Sequence, residues 1–188
     1  VLDAYEAADK ERSIAARRFA VMHGSLIRQD QLERMKKLGV TLQLQNAFMW
    51  EKAATVERNL GRAVADRAVP NRLAIDILGI DNVALGTDFQ TNFMNPWINL
   101  YIAVTRKDPN GVVYGADQAI TREEALRLNT RSAAYATFEE DIKGSIEPGK
   151  LADMVVLDRD YFTIPAEQIK DIKAVATIVD GRKVYEAK

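Results

Sequence analysis

The sequence predicts an α/β protein built on a parallel sheet. Two observations predict it. Short apolar or alternating runs at 18–23, 40–45 and 82–88 are separated by amphipathic helical stretches of roughly ten residues. The last of these runs, Asn-Val-Ala-Leu-Gly-Thr-Asp, ends abruptly at Asp88. It reads as a buried parallel strand that delivers a carboxylate to its C-terminal end, where the chemistry of α/β proteins is built.

The elements follow in order. Leu2, Tyr5 and Ala8 space one buried stripe on a helix expected over 1–17. Arg-Phe-Ala-Val-Met-His at 18–23 is a buried strand, followed by a Gly24-Ser25 loop. Asp30 and Glu33 have capping-box spacing, and Leu32, Met35 and Leu38 give the next helix its apolar face. Gly39 after Lys36 and Lys37 ends it. Val-Thr-Leu-Gln-Leu-Gln at 40–45 alternates as a strand does, so 18–45 is one right-handed β-α-β unit. Phe48, Met49 and Trp50 form an apolar knot after it, and 51–69 is polar and helical with Gly61 a weak point. Pro70 opens a helix with Leu73, Ala74, Ile77 and Leu78 on one face, ended by Gly79. A loop from 89, a helix over 96–105 and a turn at 108–111 come next. Thr121 with Glu124 caps a helix running to about Phe138. The period then changes. Glu147-Pro148-Gly149-Lys150 is a type II turn, 152–157 and 174–179 are strands, and Asp180-Gly181 closes a hairpin. The expected division is 1–142 for the α/β part and 143–188 for a small β module.

Composition narrows the function classes. The 188 residues suffice for one ordinary domain, and 47% are hydrophobic, so a sizeable core is possible. Charges nearly cancel, at a net −1, which argues against nucleic acid and against a polybasic membrane contact. No apolar run approaches the roughly 20 residues of a membrane span. Cysteine is absent, which rules out disulfides and thiolate chemistry; a cytoplasmic location is the default expectation. There is no glycine-rich nucleotide fingerprint and no P-loop. The chain starts within a helical pattern without Met, which suggests a piece of a longer chain. There is one histidine, His23, so a metal site built from several histidines of this chain alone is excluded by counting.

Four segments carry a resemblance. GSIEPGKLADMVVLDRD (144–160) and IKAVATIVDGRKVYE (172–186) resemble the C-terminal signature of the amidohydrolase superfamily, metal-dependent hydrolases of cyclic and linear amides. ITREEALRLNTRSAAYATF (120–138) resembles the helix before it, LGTDFQTNFMNPW (85–97) the eighth barrel strand and its loop. RRFAVMHGSLIRQDQLERMKKLGVTLQLQN (17–46) resembles the sixth-strand unit of the branch acting on N-acyl or exocyclic amide-like substrates. The resemblance implies the last strands and helices of a (β/α)8 TIM-type barrel, with 143–188 part of a composite β-sandwich. It also implies a divalent metal, zinc first, in the complete parent and none held by this chain alone. Gly24 and Asn46 stand where related sequences often have Ala and Pro. The first five strands have no counterpart in the chain.

Carried over residue by residue, His23 matches the sixth-strand metal ligand. Asp88 matches the eighth-strand aspartate, a proton shuttle and sometimes a ligand. Phe48 and Trp50 are candidate pocket walls, with core packing as their alternative. Gln90 and Asn92, beside Thr87 and Asn95, are candidate substrate contacts, with an ordinary solvated loop as theirs. His23 has the alternative of a lone strand-end histidine, and Asp88 that of a turn cap. Lys150 and Asp153 read as structural. The expected partners are a small amide-type substrate in the parent and, for the open sheet edges, either a second copy or the missing N-terminal half. A truncated or degenerate binding or assembly domain is the competing function, and a proteolytic piece with no role of its own is the third.

Overall fold

The structure is a computed structural model that describes residues 1–90 and 92–188. Thr91, inside the loop expected from 89, lies outside the described residues. Helix α1 (Leu2–Glu11) is shorter than the 1–17 expected. Arg12 turns extended, and the Asp9 carboxylate accepts from the Ile14 amide at 2.9 Å, so a side chain takes over from the helical ladder. Strand β1 (Ala20–His23) and helix α2 (Gln29–Leu38) follow. The cap of α2 is not the expected Asp30–Glu33 pair. Both Asp30 oxygens are engaged by the Arg28 guanidinium at 2.9 and 2.8 Å, and Gln31 accepts from the Arg28 amide at 3.0 Å.

Strand β2 (Thr41–Gln45) leads directly into α3 (Ala47–Leu60), so the Phe48–Trp50 knot is the first turn of a helix. Gly61, at φ 86°, separates α3 from the short α4 (Arg62–Ala65). Helix α5 (Asn71–Leu78) starts after Pro70 and delivers the chain to β3 (Val83–Gly86). Helix α6 (Pro96–Thr105) occupies the expected span, with Asn95 Oδ1 accepting from the Trp97 amide at 2.9 Å. The helix expected over 121–138 is two: α7 (Arg122–Asn129) and α8 (Arg131–Ala136). Its Thr121–Glu124 box forms as expected, at 3.1 and 2.9 Å. The break falls at Thr130, whose hydroxyl donates to the Leu126 carbonyl at 2.8 Å, while buried Ser132 donates to the Ile80 carbonyl. Strands β4 (Met154–Leu157), β5 (Ala174–Val179) and β6 (Arg182–Glu186) complete the chain.

Two three-stranded sheets result. The first is parallel, in the order β1-β2-β3, with His23 beside Leu44 and Gln45 beside Gly86. No closed barrel forms among the described residues. Leu42, Leu44, Val83 and Leu85 lie on one face and join a core with Leu32 and Met35 of α2 and Ala74 and Leu78 of α5. Burying each such leucine contributes roughly 1.5–3 kcal/mol. The opposite face carries Gln43, Gln45, Ala84 and Gly86; Ala84 is buried but stands outside that core cluster.

The second sheet is antiparallel. Asp180 and Gly181 both have positive φ, 49° and 72°, the pair of values a type I′ turn requires. Lys150 donates to the Glu140 carbonyl at 2.6 Å and to Ser145 at 2.7 Å, and Asp153 accepts from the Asp180 amide at 2.8 Å. Both residues do the structural work expected of them.

At the C-terminal end of α6 a buried cation clamps the segment before α5 to the chain after α6. Arg106 is fully buried and donates to the carbonyls of Ala68, Val69 and Tyr114 at 2.8–2.9 Å. Burial pushes its pKa down to about 10, so it remains a cation at neutral pH. No helix among the described residues is long and apolar enough to cross a membrane.

Candidate active site

The parallel strands β1 and β3 flank β2, and their C-terminal ends carry the two residues singled out by the sequence. His23 closes β1, and Asp88 follows β3 by two residues. His23 Nε2 and Asp88 Oδ1 are 3.5 Å apart, with half of the imidazole and about a third of the carboxylate side chain exposed. Both residues sit at positive φ, 74° and 58°. Such conformations cost a non-glycine residue roughly 1–2 kcal/mol and concentrate at functional sites.

The surroundings fix the pair. The Phe48 ring meets the imidazole edge to face, with centroids 5.3 Å apart, and Lys52 lies 4.5 Å over the same ring. Phe48 therefore supports His23 from the first turn of α3. The Asn92 amide donates to the Asp88 carbonyl at 3.3 Å, and its side chain reaches Asp88 Oδ2 at 3.5 Å. Asn92 is buried, whereas Gln90 is exposed on the same loop.

Trp50 points elsewhere. Its ring packs on Tyr101 with centroids 5.9 Å apart, and it lines a cleft of about 500 Å³ with Phe93, Ile98 and the 108–110 turn. Neither His23 nor Asp88 lines that cleft. The structure thus brings together His23, Asp88, Phe48 and Asn92, leaves Gln90 on the rim, and places Trp50 apart.

One residue at this end was not singled out by the sequence. Gln45 is the last residue of β2, between the two flanking strands, and is only 3% exposed. Its Oε1 has no hydrogen-bond partner among the described residues. The signal that could have found it is position: a polar residue ending the strand between His23 and Asp88.

The spacing of the two donor atoms suits a metal ion. An ion at zinc's usual bond lengths, near 2.1 Å, with a tetrahedral angle holds two donor atoms about 3.4 Å apart. The observed 3.5 Å between imidazole nitrogen and carboxylate oxygen fits that edge. No group of three or more His, Cys, Asp or Glu placed to hold a metal occurs among the described residues. The pair fits two corners of a four-cornered site.

The fold is an α/β protein with a histidine and an aspartate set near the C-terminal ends of parallel strands. Comparison with known proteins is more specific. A family model described as "Amidohydrolase family" matches residues 1–185. An N-substituted formamide deformylase of Arthrobacter pascens is 32% identical over 188 residues, covering 99% of this chain and 34% of that protein. The Arabidopsis thaliana protein LONG AFTER FAR-RED 3 is 30% identical, covering 98% of this chain and 32% of that protein. A crystal structure described as an uncharacterized metal-dependent hydrolase from Pyrococcus furiosus superposes with a TM-score of 0.69 at 33% identity, over 86% of this chain and 31% of that one. The chain belongs to the amidohydrolase family. It spans about one third of the length of these relatives.

Proposed function

We propose that this chain is the C-terminal third of a metal-dependent hydrolase that cleaves a non-peptide, amide-type C–N bond. The observation that carries the reading is the convergence of His23 and Asp88 to 3.5 Å at the C-terminal ends of β1 and β3. In this reading β1–β3 are the last three strands of a (β/α)8 barrel, 1–142 is its final portion, and 143–188 contributes to a β-sandwich.

His23 Nε2 and an Asp88 oxygen would hold one divalent ion, with zinc first because imidazole and carboxylate are donors it takes. The ion would supply Lewis acidity and make a water a better nucleophile near neutral pH. The chain's own residues do the rest. Asp88 accepts a proton at its carboxylate and returns it to the departing nitrogen, which makes it the general acid–base group. Asn92 orients Asp88, and Phe48 fixes the imidazole plane. The remaining ligands come from outside these 188 residues, either from the preceding part of the natural protein or from another chain. The edge of β1, where Met22 is 59% exposed, is the seam that such a segment covers.

The test is to express the natural-length protein and the 188-residue chain, load both with zinc, and assay small amides. The relative from Arthrobacter makes N-substituted formamides the first substrates to try. Turnover by the longer protein and none by the short chain is the expected outcome. Turnover by the short chain alone, or no amide hydrolysis by the long one, overturns the reading.

A further inference from the structure

We propose that Gln45 reads the substrate: its Oε1 accepts a hydrogen bond from an N–H next to the scissile bond, so the site selects secondary over tertiary amides. The inference rests on the location of the site proposed above. It deepens that reading from an amide-type bond to an amide that retains its N–H.

Four observations place Gln45. It ends β2, and β2 lies between the strands that carry His23 and Asp88. It is paired in register with Gly86, and in-register residues of parallel strands point to one face. A Cβ on Gly86 would lie 3.5 Å from Gln45 Nε2, so the carboxamide lies beside the backbone that leads into Asp88. That face is opposite the one on which Leu42 and Leu44 pack against the helices, which in a barrel is the lumen side. Gln45 therefore stands on that face at the C-terminal end of the sheet, one residue beyond the level of His23 and two before the level of Asp88 along β3.

The chemistry follows from burial. Gln45 is 3% exposed and its Oε1 has no partner among the described residues. Buried acceptors are seldom left unpaired, because losing the hydrogen bond to water without a replacement is costly. The matching donor is a substrate N–H. An N-methyl amide lacks that donor and leaves Oε1 buried and unpaired, and sites built to bond a substrate N–H reject analogues lacking it. A bound water would satisfy the acceptor equally well, and the experiment separates the two cases.

The zinc-loaded natural-length protein is assayed with N-butylformamide and N-butyl-N-methylformamide, as wild type and as Gln45→Met, which keeps side-chain length and removes the acceptor. Wild type is expected to favour the N–H substrate in kcat/KM by about tenfold or more, and Gln45→Met to bring the ratio near one. A wild-type ratio below about two overturns the proposal without any variant. So does a ratio that survives Gln45→Met, or an equal loss on both substrates, which marks a structural role. If the protein hydrolyses neither compound, the proposed function has failed. Gln45 is then judged by calorimetric binding of the same two compounds, where a preference for the N–H compound lost in Gln45→Met supports it. Equal binding of the two, or none, overturns it.

Discussion

The two sheets each have three strands, and they are built for different work. In the parallel sheet, β2 and β3 are buried nearly throughout, with Leu42, Leu44 and Val83 at 0% exposure. In the antiparallel sheet, every residue of β6 is exposed, and Val155 and Val156 of β4 are each nearly half exposed. The first sheet sets His23, Gln45 and Asp88 at one end of parallel strands. The second pairs its strand-end charges as surface ion pairs, Lys183 with Glu186 on β6 and Arg159 with Asp158 after β4. It is held by the Lys150 and Asp153 contacts and the hairpin turn. The lesson is that burial and register go together here: β2, the strand that holds both of its neighbours in register, is the one sealed on its helix face.

That contrast can be broken by substitution. The largest effect is expected at Arg106, outside both sheets. Arg106→Met leaves the carbonyls of Ala68, Val69 and Tyr114 buried without their donor, for a loss of roughly 3–5 kcal/mol. Urea titration of the natural-length protein measures it. Next comes Leu44→Ala in β2, expected to cost about 2–5 kcal/mol, against less than about 1 kcal/mol for Val156→Ala in β4. Equal costs in the two strands would erase the distinction between the sheets.

A smaller effect concerns the contact between the segment before β1 and the chain after α8. Hydrogen bonds from the Arg18 guanidinium, at 2.6 and 2.9 Å, hold the Glu140 carboxyl below its ordinary 4.5. A carboxyl lowered in the folded state stabilises above its unfolded pKa, and that contribution is lost as pH falls through the folded value. Melting temperature should therefore drop as pH falls from about 5 to about 3, and drop less in Glu140→Gln. An identical slope in the variant would remove this pair from the account. The smallest effect is expected at Val184 in β6, 62% exposed, where Val184→Ala should change stability by under about 0.5 kcal/mol in the same titration. A larger loss would mean that β6 is covered by a segment the parallel sheet does not need.

Much of this arrangement is legible in the sequence, for physical reasons. Periods of two and of about 3.6 locate β1, β2, α5 and β3. Asn95-Pro96 marks the start of α6, and Asp180-Gly181 the hairpin, because those residues tolerate the required dihedrals. Other features depend on contacts distant in sequence. Asp30 has capping chemistry, but the adjacent Arg28 takes its carboxylate. The helix through Thr130 reads as continuous until Ser132 finds the Ile80 carbonyl 52 residues away. In the candidate site, His23 and Asp88 stand out because strand ends and residue types advertise them. Gln45 does not, since its lack of a partner appears only when the strands are paired. Trp50 looks like a pocket residue beside Phe48, yet residues two apart on a helix point about 200° apart, to nearly opposite sides, and it faces Tyr101 instead.

The central claim is that His23 and Asp88 are two corners of one metal site. The direct measurement is metal content of the natural-length protein, by elemental analysis after zinc loading and gel filtration, in wild type, His23→Ala and Asp88→Ala. The account predicts stoichiometric zinc in wild type and a loss of at least one equivalent in His23→Ala, with folding preserved by circular dichroism. Full zinc occupancy in both variants, or no zinc in folded wild type, would contradict it.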